Sequence, residues 1–292
     1  ELKKYLTSNN FQEVINYSFV DDGLQNELEL SKGLIKIQNP ITENLNSMRT
    51  SLFPGLITNL ISNSKRGNDY LKIFEEGKVF SRNKTIKEAN QLAGLIFDQE
   101  KKGWNRSDSF DFYALKELVL NLAKFSNITD VSLKKSDSNL LHPKISADIF
   151  KANKKIGSFG KVHPLILKKI NFKKAFFYFE FDTNELFNLK NLKLVEPSKF
   201  PSTQRDLAFI VSEEIDYIEL FEEISKCAGK DLIDIKLFDL FKGGELQINQ
   251  KSLAFRLTWQ SKKGTLEDRN VDSAVDKIIK SSKRKFGAKL RS

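Results

Sequence analysis

In the last hundred residues, the pattern of apolar and polar positions changes at short intervals between a two-residue and a helical period. Residues 205–211 and 251–259 alternate, which predicts two strands that each have one apolar face. Between them a helix is predicted from Asp216, an N-cap with Glu219 in the capping-box position, to Gly229. The other predicted elements are strands at 232–241 and 287–291 and a second helix from Thr265.

The predicted order of these elements is βαββαβ, the ferredoxin-like arrangement. Right-handed crossovers place both helices on one face of such a sheet and leave the other face open. An open face that combines aromatic and basic side chains is typical of surfaces that bind single-stranded RNA loops. A face that is simply solvated, or docked on another protein domain, gives the same alternation, so both interpretations stand. By parity, the open face carries Asp206, Ala208, Asp239, Phe241, Ser252, Arg256 and Arg291.

The first 190 residues predict a mixed antiparallel α+β domain, because predicted strands far outnumber strand–helix–strand alternations. Periodicity fails over 188–202, around Pro197 and Pro201, and predicts a boundary at about residue 192. The chain is therefore expected to form two domains, 1–192 and 193–292. In the first, helices are predicted at the start of the chain, over 53–65 and over 112–125, and strands over 13–20, 71–80, 92–97, 145–150, 155–162 and 175–181.

Composition and charge are those expected of a soluble two-domain protein, and they reduce the kinds of functional site that the chain is expected to contain. The 292 residues contain no apolar run near the ~18–20 residues of a membrane helix, and the net charge is +10. Residues 247–292 hold 12 basic and 4 acidic side chains, a concentration of charge that suits a polyanionic partner. The single cysteine excludes internal disulfides, and His142 and His163, each before a proline, are expected to be structural. No metal site and no glycine-rich nucleotide-binding motif is predicted.

Six motifs follow one another along nearly the whole chain. The first three are NPITENLNSMRTSLFPGL at 39–56, KIFEEGKVF at 72–80 and GSFGKVHP at 157–164. The last three are FPSTQRDLA at 200–208, KSLAFRL at 251–257 and FGAKLR at 286–291. In this order they resemble the core and the C-terminal anticodon-binding domain of the β subunit of bacterial phenylalanine–tRNA ligase. The resemblance favours the RNA-binding interpretation of the open face.

The resemblance implies that the first domain is a class II synthetase-like core that has lost its chemistry. Catalytic class II enzymes carry a strand arginine that stabilises charge on the ATP α-phosphate and the acyl carboxylate. Ser81 stands at that place here, and Arg82 is one position out, which points a strand side chain to the opposite face. We therefore expect no catalytic residue in this chain and a role in subunit assembly. The residues expected either at a subunit interface or in the domain's own core are Leu2, Tyr5, Leu6, Phe11 and Phe19.

By the same resemblance, the second domain recognises the anticodon end of phenylalanine tRNA. Phe241 matches an aromatic position, often tyrosine in the family, that stacks on an anticodon base. Lys283, Arg284 and Lys285 end the last predicted helix and are expected to contact phosphates or to interact with the negative end of the helix dipole. The residues expected around the stacked base are Asp239, Ser252, Ala208 and Arg291, with Arg256 on the same face.

The implied protein is a cytoplasmic ligase of two α and two β subunits that attaches phenylalanine to tRNA using ATP and Mg²⁺. The chain begins at Glu1 without an initiator methionine or a signal peptide, so we expect a piece of a longer β chain. This piece is expected to bind neither a cofactor nor a metal, and no membrane or DNA partner is expected. The alternative is a stand-alone RNA-binding or regulatory paralogue without ligase activity. An active ligase in its own right is disfavoured by Ser81.

Overall fold

The computed structural model describes residues 2–99, 110–126, 128, 131–186, 197–244, 246–262 and 264–291. The chain forms two compact units, Glu1–Leu192 and Lys193–Ser292. The boundary predicted at about residue 192 lies outside the described residues, which are interrupted from 187 to 196.

Two sheets organise the first unit. Its described strands are β1 (Gln12–Glu13), β2 (Phe19–Val20), β3 (Ile35–Lys36), β4 (Ser47–Met48), β5 (Tyr70–Arg82), β6 (Ile86–Asp98), β7 (Val131–Lys135), β8 (Leu141–Lys151), β9 (Lys154–Val162) and β10 (Phe177–Asp182). The large sheet has the order β1-β5-β6-β10-β9-β8-β7 and the small one the order β2-β4-β3. All neighbours are antiparallel except β1 and β5, which are parallel. The mixed, mainly antiparallel architecture predicted from the sequence is confirmed.

Helices cover both faces of the large sheet. Those described are α1 (Leu2–Ser8), α2 (Asp22–Glu27), α3 (Phe53–Lys65), α4 (Phe112–Phe125), α5 (Pro164–Lys169) and α6 (Thr183–Leu186), with a 3₁₀ turn at Glu43–Leu45. Alternate strand residues pack into two cores: Phe74 joins the one beneath α1 and α4, and Ile73 joins the one beneath α3. The bounds of α3 and α4 match the predicted helices, since each has an unbroken apolar face and a polar start or end.

The strand predicted over 13–20 is wrong. Its first residue ends β1, which pairs with β5, whereas Phe19 and Val20 form β2 in the small sheet. The chain crosses between the sheets at Asn16, whose side-chain amide donates to the buried Glu75 carboxylate at 2.7 Å. The side chains of Ile15 and Tyr17 are therefore free of the core and strongly exposed. The alternation of apolar and polar residues over 13–20 therefore comes from two short strands and the crossing between them, not from one strand.

The second unit has the predicted βαββαβ order. Its elements are β11 (Thr203–Ser212), α7 (Tyr217–Cys227), β12 (Leu232–Lys242), β13 (Gln250–Trp259), α8 (Asp268–Phe286) and β14 (Lys289–Leu290). The sheet is antiparallel with the order β12-β13-β11-β14, and both helices pack on the face that carries Phe209 and Phe255. This confirms the ferredoxin-like fold.

The ends of the elements in the second unit differ from the prediction in detail. Asp216 is the N-cap of α7, but its side chain accepts no capping hydrogen bond, so the capping box is not formed. Helix α8 begins at Asp268, three residues after the predicted start, and ends at Phe286, followed by the C-cap Gly287, whose φ of 62° favours glycine. Gly243 also has a positive φ, at the turn that ends β12. None of the helices in the described ranges has the length and apolar character to cross a membrane.

Candidate nucleic-acid interface

The open face of the second unit's sheet, on the side away from α7 and α8, carries the seven predicted residues. Register fixes this placement, because directly paired residues of an antiparallel sheet point to the same side. Phe241 pairs with Ser252, Asp239 and Ala208 both pair with Ala254, and Asp206 pairs with Arg256. The backbone amide of Arg291 donates to the carbonyl of Ala208 at 2.8 Å, which places Arg291 beside it.

Phe241 and Arg291 meet across this open face. They come from opposite edges of the sheet, yet the Arg291 guanidinium carbon lies 5.1 Å from the centroid of the Phe241 ring. The two central strands between them present Ala208 and Ala254, whose small side chains leave room for this contact. Phe241 remains 38% exposed. The pair forms a cation–π contact on a ring that is still accessible to a ligand.

A second aromatic residue on this face, Phe238, was missed by the sequence analysis. Strict alternation with Asp239 and Phe241 predicts Phe238 on the helical side, but a register shift between Leu237 and Asp239 marks a bulge in β12. The Arg256 guanidinium carbon lies 5.3 Å from the Phe238 ring centroid. Phe238 is 48% exposed. In the sequence, the bulge shows only as one extra residue between two stretches that each alternate.

Asp206 holds Arg256 in place by two hydrogen bonds. Arg256 donates through Nε at 2.8 Å and Nη2 at 2.7 Å to the two carboxylate oxygens. These hydrogen bonds lower the pKa of the Asp206 carboxyl. The bidentate geometry fixes the plane of the guanidinium group next to Phe238.

Two of the predicted contact residues are less accessible than expected. Ser252 lies in the register position between Phe241 and Ile210 and is only 3% exposed. Ala208 is half-buried. Both belong to central strands, where side chains of the flanking strands restrict access. Ser252 therefore exposes little surface to a ligand in this structure, and its place around a bound base stays a prediction.

The basic cluster Lys283–Lys285 lies at the end of α8, in the helical layer and on the other side of the sheet from Phe241. Lys285 is 2.9 Å from Glu223 of α7, which also accepts from the Ser281 hydroxyl at 2.5 Å. The Ser281 and Lys285 hydrogen bonds lower the pKa of Glu223 to about 2. Lys285 therefore joins the two helices, whereas Lys283 and Arg284 are exposed without an ion-pair partner in the described part of the chain.

In the first unit, Ser81, which stands at the place of the catalytic arginine of class II enzymes, lies near the turn of the β5–β6 hairpin. Ser81 pairs with Lys87, and Arg82, which pairs with Ile86, is exposed. On the same side of β5 as Ser81, the buried Arg49 lies 2.5 Å from Glu75. These residues do not fit an ATP site, because Ser81 supplies no cation and the buried arginine is already neutralised.

Arg49 also fills the space next to the strand. A Cβ built on Gly77 would lie 2.3 Å from Nη2 of Arg49, so only glycine is compatible with the position of this guanidinium. Arg49 Nε donates to the carbonyl of Lys78 at 2.9 Å. The side chains of Arg49 and Glu75 thus form a packed internal ion pair rather than a ligand-binding charge.

The five expected interface residues divide into two groups. Leu2, Leu6 and Phe11 are buried in the unit's own core, and Tyr5 packs against that core with its ring 5.4 Å from that of Phe125. The structure thus places these three side chains in the domain's own core, one of the two alternatives. Phe19 is half-buried.

The exposed apolar side chains of the same segment are Ile15 and Tyr17, at 91% and 76% exposure. They lie between β1 and β2, where the chain crosses from one sheet to the other. The prediction concentrated on apolar residues at helical or strand spacing and so missed them.

The two histidines come closer together than their sequence positions indicate. Their rings are 6.5 Å apart, and in each the Nδ1 atom accepts a hydrogen bond from the backbone amide two residues later, at 3.1 Å. His163 is the N-cap of α5 by this bond. In the described residues, no group of three or more His, Cys, Asp or Glu side chains is arranged to hold a metal ion.

Comparisons with known proteins place the chain among aminoacyl-tRNA synthetases. Residues 198–291 match the model of the ferredoxin-fold anticodon-binding domain, as the βαββαβ unit and its open face lead one to expect. A solved pyrrolysyl-tRNA synthetase from Desulfitobacterium hafniense shares the fold over 63% of this chain and 64% of its own, with a TM-score of 0.50 and 15% identity.

The family itself follows from the first unit. Residues 1–183 match the model of the phenylalanyl-tRNA synthetase beta chain CLM domain, and the chain belongs to this family of β chains. It is 32% identical to the phenylalanine–tRNA ligase beta subunit of Pseudoalteromonas translucida and 33% identical to those of Buchnera aphidicola and Syntrophotalea carbinolica. These matches cover 98–100% of this chain but only 37–38% of the relatives, so the chain spans less than two fifths of their length.

Proposed function

We propose that this chain is the C-terminal part of a β subunit of phenylalanine–tRNA ligase. Its second unit binds the anticodon region of phenylalanine tRNA, and its first unit supports assembly with the catalytic α subunit. The complete enzyme, two α and two β subunits in the cytoplasm, attaches phenylalanine to tRNA using ATP and Mg²⁺. The match of the whole chain to β subunits supports this proposal, and it does not favour a stand-alone regulatory paralogue.

The observation that carries the RNA-binding part is the exposed Phe241 ring with the Arg291 guanidinium beside it. An unstacked base of a single-stranded loop lies on such a ring, and the cation next to it attracts the phosphate backbone or stacks on the base itself. Asp239, exposed on the same face, supplies a carboxylate acceptor for the donors on the edge of a base. The two helices pack on the opposite face and leave this one uncovered.

The basic cluster adds attraction that does not depend on the base. Lys283 and Arg284 are exposed and form no ion pair within the described residues, so their charge is available to phosphates. Because they lie in the helical layer, they contact RNA outside the loop that occupies the open face. In this proposal, the aromatic residues of the open face bind the bases, and the basic cluster at the end of α8 binds phosphates elsewhere on the RNA.

The salt dependence of binding tests this division. The variant Lys283→Gln/Arg284→Gln/Lys285→Gln is expected to bind an anticodon stem-loop RNA of phenylalanine tRNA more weakly at low salt. The slope of log K against log salt is expected to flatten by about 0.7–0.9 for each phosphate that the cluster neutralises in the unaltered chain. Filter binding by the 292-residue chain across a salt series measures both quantities.

Three further variants separate charge from helix packing. Lys285→Gln alone removes the ion pair with Glu223, whereas Lys226→Gln/Lys230→Gln removes two exposed charges near the end of α7. Neither is expected to flatten the slope as much as Lys283→Gln/Arg284→Gln. An unchanged slope in the triple variant would remove the phosphate-binding role of the cluster.

Subunit assembly is tested through the exposed apolar residues of the first unit. Ile15→Ser/Tyr17→Ser is expected to reduce the amount of complex formed with the catalytic α subunit, because about 1.5–3 kcal/mol of apolar burial is lost per side chain that the partner covers. Co-elution of the mixed chains in size-exclusion chromatography gives the readout. Ile86→Ser, an exposed isoleucine at the tip of the β5–β6 hairpin, is the control. If the unaltered chain forms no complex with the α subunit, the assembly role fails.

A further inference from the structure

We infer that the open face contains a second base-stacking site at Phe238, so that two bases of one RNA loop bind side by side along β12. The inference rests on the proposed RNA-binding function and adds a binding residue and a binding capacity to it. Phe241 with Arg291 is called the Phe241 site, and Phe238 with Arg256 and Asp206 is called the Phe238 site.

The bulge in β12 is what brings Phe238 to the open face. Leu237 pairs with Phe255 on the helical side, whereas Asp239 pairs with Ala254 on the open side. Phe238 is the extra residue between these two pairs and has no partner on β13. Its ring is next to Arg256, which belongs to the open face, so the ring lies on that face too.

The Phe238 site shares a phenyl ring and a guanidinium group with the Phe241 site and adds the Asp206 carboxylate. Each has a half-exposed phenyl ring, and each has a guanidinium group a little over 5 Å from the ring centroid. Bases stack on aromatic rings and on guanidinium planes irrespective of their sequence. The two sites therefore suit the same class of ligand.

The guanidinium group of the Phe238 site is held by more hydrogen bonds than that of the Phe241 site. Asp206 fixes the Arg256 guanidinium by two hydrogen bonds of 2.7–2.8 Å. In the described part of the chain, no carboxylate pairs with Arg291. A base that stacks next to Arg256 meets a group already held in position and loses less conformational freedom on binding.

The spacing of the two rings requires two bases. Phe241 lies three positions after Phe238, and the extra residue of the bulge shortens the rise, so the two positions are roughly 7–10 Å apart along the strand at about 3.3 Å per residue. One base does not span both rings at this distance, whereas consecutive unstacked nucleotides of a loop reach both. Sheets that bind RNA in this way stack two or three bases on their aromatic residues.

The test uses the 292-residue chain and an anticodon stem-loop RNA of phenylalanine tRNA with 2-aminopurine at one loop position at a time. Phe238→Ala is expected to reduce affinity by roughly 5- to 150-fold, the loss of one stacked base. Stacking quenches 2-aminopurine fluorescence, so Phe238→Ala is expected to restore the signal at a different loop position from Phe241→Ala. Phe238→Tyr, which keeps the ring, is expected to bind as the unaltered chain does.

Leu240→Ala is the matched control. Leu240 lies on the same strand between the two rings, is 53% exposed and pairs with Leu253 on the helical side. Its loss is expected to leave both affinity and fluorescence unchanged. Phe238→Leu separates stacking from packing, because it fills much of the same space without an aromatic ring and is expected to bind as weakly as Phe238→Ala.

The outcomes distinguish this inference from the function on which it rests. If Phe241→Ala loses affinity while Phe238→Ala and Phe238→Leu bind normally, Phe238 only packs against Arg256 and the second site is refuted. The second site is refuted as well if both alanine variants restore fluorescence at one and the same loop position. If neither ring matters for affinity, the open face does not bind this RNA, and the proposed function fails with it.

Discussion

Replacing Phe241 with alanine is expected to weaken binding of the anticodon stem-loop RNA by about 1–3 kcal/mol, or roughly 5- to 150-fold. The ring is exposed on the open face, and its loss removes the surface on which a base stacks. The variant also leaves Arg291 without the aromatic partner that now lies 5.1 Å away. Equilibrium binding of the 292-residue chain at a fixed salt concentration measures the loss.

The salt slope distinguishes stacking from charge in this variant. Phe241 carries no charge, so the slope of log K against log salt is expected to stay the same while affinity falls at every salt concentration. Phe241→Tyr keeps the stacking surface and adds a hydroxyl group, and it is expected to bind about as well as the unaltered chain. A flattened slope in Phe241→Ala would mean that the ring acts by positioning Arg291 on a phosphate, and stacking would not explain the binding.

Replacing Arg49 with methionine is expected to destabilise the first unit by about 3–5 kcal/mol. Glu75 is almost completely buried, and the variant leaves its carboxylate without the cation that lies 2.5 Å away. Asn16 still donates to it through its side-chain amide at 2.7 Å and its backbone amide at 3.3 Å, but two neutral hydrogen bonds do not replace a counter-ion. Urea unfolding followed by far-ultraviolet circular dichroism measures the change in the free energy of unfolding.

A double variant tests whether the isolated charge is the cause. Arg49→Met/Glu75→Leu removes both charges and is expected to recover most of the lost stability, because well-packed apolar pairs often replace buried ion pairs without net cost. Arg82→Met, an exposed arginine on the same strand as Glu75, is the control and is expected to change stability by less than about 0.5 kcal/mol. Equal losses in the single and double variants would show that packing around Gly77, and not the charge, makes Arg49 necessary.

Elements with a long, unbroken period could be predicted from the sequence. Helices α3 and α4 and the individual strands and helices of the second unit each keep one period along their length, and each buries the face that the pattern marks. The open face followed from topology, since right-handed crossovers leave one side of such a sheet uncovered. The placement of Phe241 and Arg291 on one face therefore came from parity and strand order.

Features that break a period could not be predicted. The segment 13–20 alternates like a strand, but its two ends pair in different sheets, and pairing partners are a property of the fold. The bulge at Phe238 shifts the parity of β12 by one residue, which no count of apolar positions reveals. In α1, the buried face of Leu2 and Leu6 has the same pattern whether it covers its own core or a second chain. Only the packed structure decides between these possibilities.

The last strand of the second unit gives Arg291 an unusual attachment. Strand β14 is two residues long, and it adjoins β11 at the pairs Phe209–Leu290 and Ile210–Lys289. So short an edge element separates from its neighbour at a much smaller free energy than the whole unit unfolds. The ring of Phe241, in contrast, belongs to an eleven-residue strand. Phe241 thus belongs to a long strand, whereas Arg291 follows a strand of two residues, so we expect the guanidinium group to shift more readily than the ring when a nucleotide binds.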